Sequence, residues 1–298
     1  MFGLSLEVIL GLSVVGTLVT VAGNLIASWL TNYVFVRWFE QWKARQALFN
    51  VYRRYRDPIV LAAIELYIRI DEISRCYPPD FLNSENLKHQ AIFPRTNTQE
   101  DAHFQQYKLI STIYRLCALL GWLELYRQEV TFLDSGSNRV NLRFEACLRC
   151  IRVDLADGQL NEAEDWEEWS DRLIFREEQR AIGEVMICGT GPSRAVMGYG
   201  NFYELFDTTS GTVVSPWIEV VQQFVCDHSV NPRDFREVRL RRLVVDLVKL
   251  IELLDPHKMS KEMREWQKDA PKEASSIRQN WSWPTGCATR CTSQAKWL

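Results

Sequence analysis

No charged residue occurs between Val8 and Val36, and the chain then changes character at once, to Arg37, Trp38, Trp42, Lys43, Arg45, Arg53, Arg54 and Arg56. As a helix the uncharged stretch is about 43 Å long at 1.5 Å per residue, against roughly 30 Å of hydrocarbon. It is long enough to span a bilayer with tilt, or with its last turns among the headgroups. A secretory signal needs a basic start and a short apolar core. Here Met1 to Glu7 contains no Lys or Arg, and the apolar run is too long. The stretch therefore reads as an anchor.

The basic residues all follow the span, so the positive-inside rule places the N-terminus outside and the C-terminal bulk in the cytosol. Trp29, Tyr33, Trp38 and Trp42 are spaced to form an interfacial aromatic belt. Arg37, Lys43, Arg45, Arg53 and Arg54 are the expected contacts to lipid headgroups. Within the span, Gly16, Thr20, Asn24, Ser28 and Asn32 recur every four residues and share one helix face, flanked by Thr17, Gly23, Ala27 and Thr31. Small and polar residues on one face suit self-association or contact with a partner helix. Hydroxyls that bond their own backbone are the plainer alternative, but Asn24, near mid-span, wants a partner.

The remaining pattern is helical. Asp57-Pro58, Ser215-Pro216 and Asn231-Pro232 each pair an N-cap residue with a proline suited to a first helical turn. No proline lies between Pro94 and Pro192, which permits long helices. Alternating strand patterns with hairpin turns are scarce. The expected fold is all-α: a single transmembrane anchor over 1–36, a basic aromatic stalk over 37–57, a cytosolic helical bundle over 58–255 and a disordered tail over 256–298. Helices are expected at about 58–75, 101–133 (bent at Gly121), 138–156, 169–187, 201–206, 216–226 and 232–254, with a polar loop over 80–100.

Several segments together resemble a family of uncharacterised, N-terminally membrane-anchored helical proteins of bacteria and fungi. They are Tyr55-Arg56-Asp57-Pro58, Leu120-Gly121-Trp122-Leu123-Glu124, the run Phe175 to Glu184, and Met197-Gly198-Tyr199. The resemblance covers about 55–255 and implies an anchor followed by a helical domain. It supplies no activity and no catalytic residue.

Candidate chemistry is thin. Glu178 and Gln179 fall on apolar stripes, Ile174-Glu178-Ala181-Val185 and Phe175-Gln179-Ile182-Met186. A buried carboxylate needs a partner, and Arg69 and Arg115 lie on other apolar-rich helices. The expectation is a buried ion pair fixing helix register. The alternative is a polar site formed by Glu178, Gln179 and Glu184. No His lies three after a Glu, so a helical di-iron site is not indicated, and no metal or cofactor is expected. Cys147-x-x-Cys150 falls on a predicted helix with no redox-fold context, and the cysteines from Cys76 to Cys226 read as buried free thiols of a reducing compartment. Gly189 to Arg194 lacks the Lys-Ser/Thr ending of a phosphate loop and reads as a connector.

A net charge of -3 gives no case for nucleic acid. Charge is nevertheless segregated: Asp154 to Glu168 is acidic, and Arg233, Arg236, Arg239, Arg241 and Arg242 are basic, read as a solvated face or a contact to that acidic run. The sequence therefore favours a single-pass membrane protein whose partners are the bilayer, a second copy through the anchor, and an unidentified protein. A membrane-tethered enzyme or ligand-binding domain near Glu178 is the alternative.

Overall fold

A computed structural model describes residues 6–75, 80–88, 100–130, 139–156, 173–207, 212–213, 215–227 and 235–255. Among the described residues the fold is all-α apart from two minute hairpins. The helices are α1 (Leu6–Trp29), α2 (Val36–Arg75), α3 (Glu100–Val130), α4 (Arg139–Ala156), α5 (Arg176–Val185), α6 (Tyr199–Tyr203), α7 (Pro216–Val225) and α8 (Phe235–Leu254). A π-helical segment, Leu30–Phe35, joins α1 to α2 with helical dihedrals on both sides. The backbone is thus helical without a break from Leu6 to Arg75.

That continuity corrects the expected boundary at Asp57-Pro58, because Pro58 lies inside α2. An interior proline removes one ladder hydrogen bond and costs a helix about 3 kcal/mol. Packing on both sides of it outweighs that loss: Tyr55, Ile59, Ala62, Ala63 and Leu66 are all buried. The apolar stripe runs straight through the proline, and the helix follows the stripe.

α3 lies antiparallel to α2. Arg69 reaches Ser111, Arg115 reaches the Glu65 carbonyl, and the Tyr55 ring meets Tyr126. α8 packs on both α2 and α4, and α5 packs on α3. The core has Leu109, Ile113, Leu116 and Leu120 of α3 at its centre, with Ile59, Leu66 and Ile70 of α2 and Leu243, Leu247 and Leu250 of α8. The loop expected over 80–100 contains two 3₁₀ turns, Asp80–Leu82 and Ser84–Lys88, which seat Phe81, Leu82 and Leu87 in the core.

Ile187–Cys188 pairs with Ala195–Val196, and Phe206–Asp207 with Thr212–Val213, both antiparallel. Neither hairpin was expected. The glycine-rich run is the turn of the first, where Gly189 has φ +84° and a Cβ would lie 2.7 Å from the Ser193 oxygen. The tail over 256–298 lies outside the described residues.

Two glycines explain how closely α5 approaches α3. A Cβ on Gly183 would stand 2.5 Å from the Glu124 Cβ and 2.8 Å from the Leu120 oxygen; one on Gly121 would stand 2.9 Å from the Met186 Cβ. Backbone and Cβ atoms cannot rotate out of the way, so a side chain at Gly183 forces the helices apart. Gly183→Ala should cost about 1–3 kcal/mol of domain stability in urea unfolding. Gly198→Ala, where nothing lies within 4 Å, is the matched control and should be near neutral.

Candidate functional site

The sequence places its polar candidates on α5, and the structure gives each a separate task. Phe175 is extended, with φ -61° and ψ 158°, and the helix begins at Arg176. Glu178 therefore sits in the first turn, and its Oε2 accepts the Phe175 N–H at 2.7 Å. This corrects the expected buried pair: Glu178 is half-buried and serves the helix N-terminus, with neither Arg69 nor Arg115 as partner. Gln179 is buried and donates Nε2 to two carbonyls, Arg152 at 2.9 Å and Ile174 at 2.8 Å. Glu184 is exposed. The three do not converge on one site.

The buried carboxylate of this seam is Glu124, on α3. It is 2 % exposed and accepts Arg127 Nε at 2.7 Å, Arg127 Nη2 at 2.5 Å and Gln128 Nε2 at 2.9 Å. The fork holds the Arg127 guanidinium firmly in its charged form. Arg194, at the end of the first hairpin, reaches Gln128 and Glu129 and ties the hairpin to the end of α3.

Arg69 and Arg115 stand together, but with Lys108 rather than Glu178. Arg69 Nη2 donates to Ser111 Oγ at 3.0 Å, and Nη1 lies 3.3 Å from Glu72 Oε2. Lys108 pairs with the same Glu72, and Arg115 Nη1 donates to the Glu65 oxygen at 3.1 Å. Burial, then the field of Arg115, pulls the Arg69 pKa down to about 10.

A second cluster escaped the sequence reading. Asp154 on α4 faces Asp246 on α8, and both are buried. Burial first, then the Asp246 carboxylate, raises Asp154 to about 8, while Arg242 and Lys249 oppose the rise. Lys249 Nζ bonds Asp246 Oδ1 at 2.6 Å. Burial and the neighbouring carboxylate both disfavour ionisation of Asp154, which therefore holds its proton well above the usual carboxylate range. The sequence carried a sign of this, because Asp246 interrupts the stripe Leu243-Leu247-Leu250. Arg236 and Arg239 are buried, which corrects the solvated-face alternative, and Arg239 makes a contact to the acidic run at Asp154. Arg239 Nη1 donates to the Asp154 main-chain oxygen at 2.9 Å, and Arg236 donates to the Cys226 and Asp227 oxygens at 2.5 and 2.8 Å.

The anchor candidates remain on the outside. Gly16, Thr20, Asn24 and Ser28 are all exposed, as are Arg37, Lys43, Arg45, Arg53 and Arg54. Thr17, Thr20 and Thr31 bond the carbonyls four residues back, at 2.8, 2.8 and 2.7 Å. Asn32 Nδ2 meets Ser28 Oγ at 3.3 Å. Lys43 lies over the Phe39 ring and Arg54 over Tyr55. Of the cysteines, Cys117 and Cys226 are buried, the latter thiol pushed up to about 12 by burial and the Asp227 charge. Cys147 and Cys150 are half-buried and Cys188 is exposed, which corrects the expectation of uniform burial. Cys76, Cys287 and Cys291 lie outside the described residues.

Two outcomes follow. A carboxyl raised in the folded state keeps a proton that the unfolded chain releases near pH 4, so folded stability falls as pH rises from about 4 to about 8. Asp154→Asn keeps a donor for Asp246 and should flatten the fall in melting temperature between pH 5 and pH 8. An unchanged slope would remove the proton retained on Asp154 from the account. Glu178→Ala loses only a helix-end bond and should cost about 0.5–2 kcal/mol in denaturant unfolding, the range of a lost cap. A loss of about 3–5 kcal/mol would restore the buried pair.

No family model matches this chain, and no curated protein or solved structure is detectably similar to it, so the roles given to these residues rest on their own geometry.

Proposed function

We propose that the chain is a single-pass membrane protein whose N-terminal helix holds a helical domain at the cytosolic surface, and whose activity is binding rather than catalysis. The anchor pairs with a second copy, and the domain receives a protein partner. One contrast supports this reading. Among the described residues, two helices are long and apolar enough to cross a membrane, one within Ala102–Val130, 83 % buried, and one within Ser13–Ser74, 0 % buried over its apolar window. The first is a core helix. The second exposes Val14, Val15, Leu18, Val19, Leu25 and Ile26, each more than half accessible, and water is a poor solvent for such a surface on every side.

The aromatic and basic residues at the exit of this helix support its orientation. Trp29 stacks with Tyr33 and Phe39 with Trp42, which are rings of the kind that settle at headgroup depth. The polar stripe supports pairing through one residue above all. The threonine hydroxyls are satisfied within their own helix, whereas the Asn24 amide makes no side-chain hydrogen bond among the described residues. Glu178, on which the enzyme or ligand-binding alternative centred, is engaged at a helix end, which favours the partner-binding reading.

Asn24→Leu should weaken association of the isolated span by roughly 0.6–2 kcal/mol in a membrane two-hybrid assay. An unchanged dimer signal removes the stripe from assembly. Orientation has its own test. Asn280-Trp281-Ser282, outside the described residues, is a glycosylation acceptor by pattern and should stay unmodified in a eukaryotic host if the tail is cytosolic. Glycosidase-sensitive modification there would invert the topology.

A further inference from the structure

The α2–α3 face gathers more positive charge than it balances. Arg69 is 3 % exposed, yet its Nε and Nη1 have no hydrogen-bond acceptor, and Nη1 meets Glu72 only as an ion pair at 3.3 Å. Lys108 leans on the same carboxylate from α3. Arg115 spends its Nη1 on the main-chain oxygen of Glu65, whose carboxylate acts on Tyr114. The cations also press on one another: after burial, the fields of Arg69 and Arg115 lower the Lys108 pKa. Among the described residues, three cations thus stand against one bonded carboxylate, Glu72.

Buried guanidinium donors are ordinarily satisfied, and an unsatisfied one marks a place where an acceptor belongs. The cluster is not sealed. Tyr107 is 43 % exposed, the Glu72 side chain 32 % and the Lys108 side chain 16 %. Tyr107 packs edge-on against Tyr199 at 5.9 Å, and both hydroxyls lie within the electrostatic reach of Arg69. A group arriving from solvent would meet two guanidinium ions, an ammonium and a phenol.

We propose that Arg69, Lys108 and Arg115 form a binding site for a dianionic oxyanion, the phosphate group of a water-soluble ligand, with Tyr107 at its rim and the buried Ser111 holding Arg69 in place. The charge sets the class. Two uncompensated positive charges match a phosphate monoester better than a single carboxylate, and guanidinium with ammonium is the usual donor set for phosphate. The length of the helix sets the source. Arg69 lies about 50 Å along the helix from Val36 at 1.5 Å per residue, well beyond the headgroups at which the basic stalk is placed. The inference is independent of whether the anchor self-associates.

The test uses the full chain in nanodiscs of phosphatidylcholine, with no added anionic lipid and with inorganic phosphate as probe. At tenfold over its dissociation constant, phosphate should raise the melting temperature by about 3–6 °C above chloride of equal ionic strength. Lys108→Gln and Arg115→Gln, at partly exposed positions, should lose that rise, and so should Arg69→Gln if it folds. Arg143→Gln, on an exposed position of α4, should keep it. No phosphate-specific rise in the wild type, a full rise in both Lys108→Gln and Arg115→Gln, or an equal loss in Arg143→Gln would each overturn the site.

Discussion

The burial of one stripe on α2 is the constraint from which the rest of the structure follows. Tyr55, Ile59, Ala63, Leu66 and Ile70 face the core from a helix whose other end is an exposed apolar rod. Because that stripe continues through Pro58, the helix cannot break there without exposing it. α3 is then laid antiparallel along α2, and α8 against the same helix. On the proposed reading of the rod as an anchor, a domain folded around its other end has a fixed approach to the membrane, which a flexible linker would not give.

Polar satisfaction at helix ends reinforces this frame, and arginines from neighbouring helices provide it. The last carbonyls of a helix have no partner in the ladder and carry the negative end of its dipole. Arg56 of α2 donates to the Leu254 oxygen at 2.6 Å and pairs with Asp255 at 3.6 Å, closing α8. Arg236 of α8 closes α7, and Arg239 of α8 reaches the Asp154 carbonyl at the end of α4. The Leu155 oxygen takes the Ile174 N–H at 3.0 Å. Each arginine clamp joins the C-terminal end of one helix to a residue of another, so helix termination and tertiary packing become one event.

The helices were legible because apolar periodicity is a property of the chain itself. α3, α4, α7 and α8 fall within a few residues of where their stripes and prolines put them. What failed depended on context. Asp57-Pro58 carries a good local start signal, but the stripe on either side of it outweighs the signal. Glu178 lies on an apolar stripe only if its helix starts near residue 169; with Phe175 extended, the same spacing makes it a first-turn carboxylate. The basic run was open between a solvated face and a contact to the acidic run; Arg236 and Arg239 share the i, i+3, i+4 line of Leu240 and Leu243, which decides for burial. The resemblance segments gain a physical reading from the structure: Arg56 clamps α8, Gly121 and Gly183 allow α3 and α5 to touch, and the Met197 oxygen accepts the Tyr114 hydroxyl at 3.2 Å.

The claim that anchor and domain share one unbroken helix is tested most directly by a distance across Pro58. Spin labels at Gln46 and Leu61, both exposed, would sit on the two sides of the proline. A continuous helix places their Cα atoms about 22 Å apart at 1.5 Å per residue, and pulsed dipolar spectroscopy in nanodiscs should return one narrow distribution near that value, allowing for the label arms. A broad or two-peaked distribution would mean that the chain hinges at Asp57-Pro58, with stalk and domain moving as separate bodies.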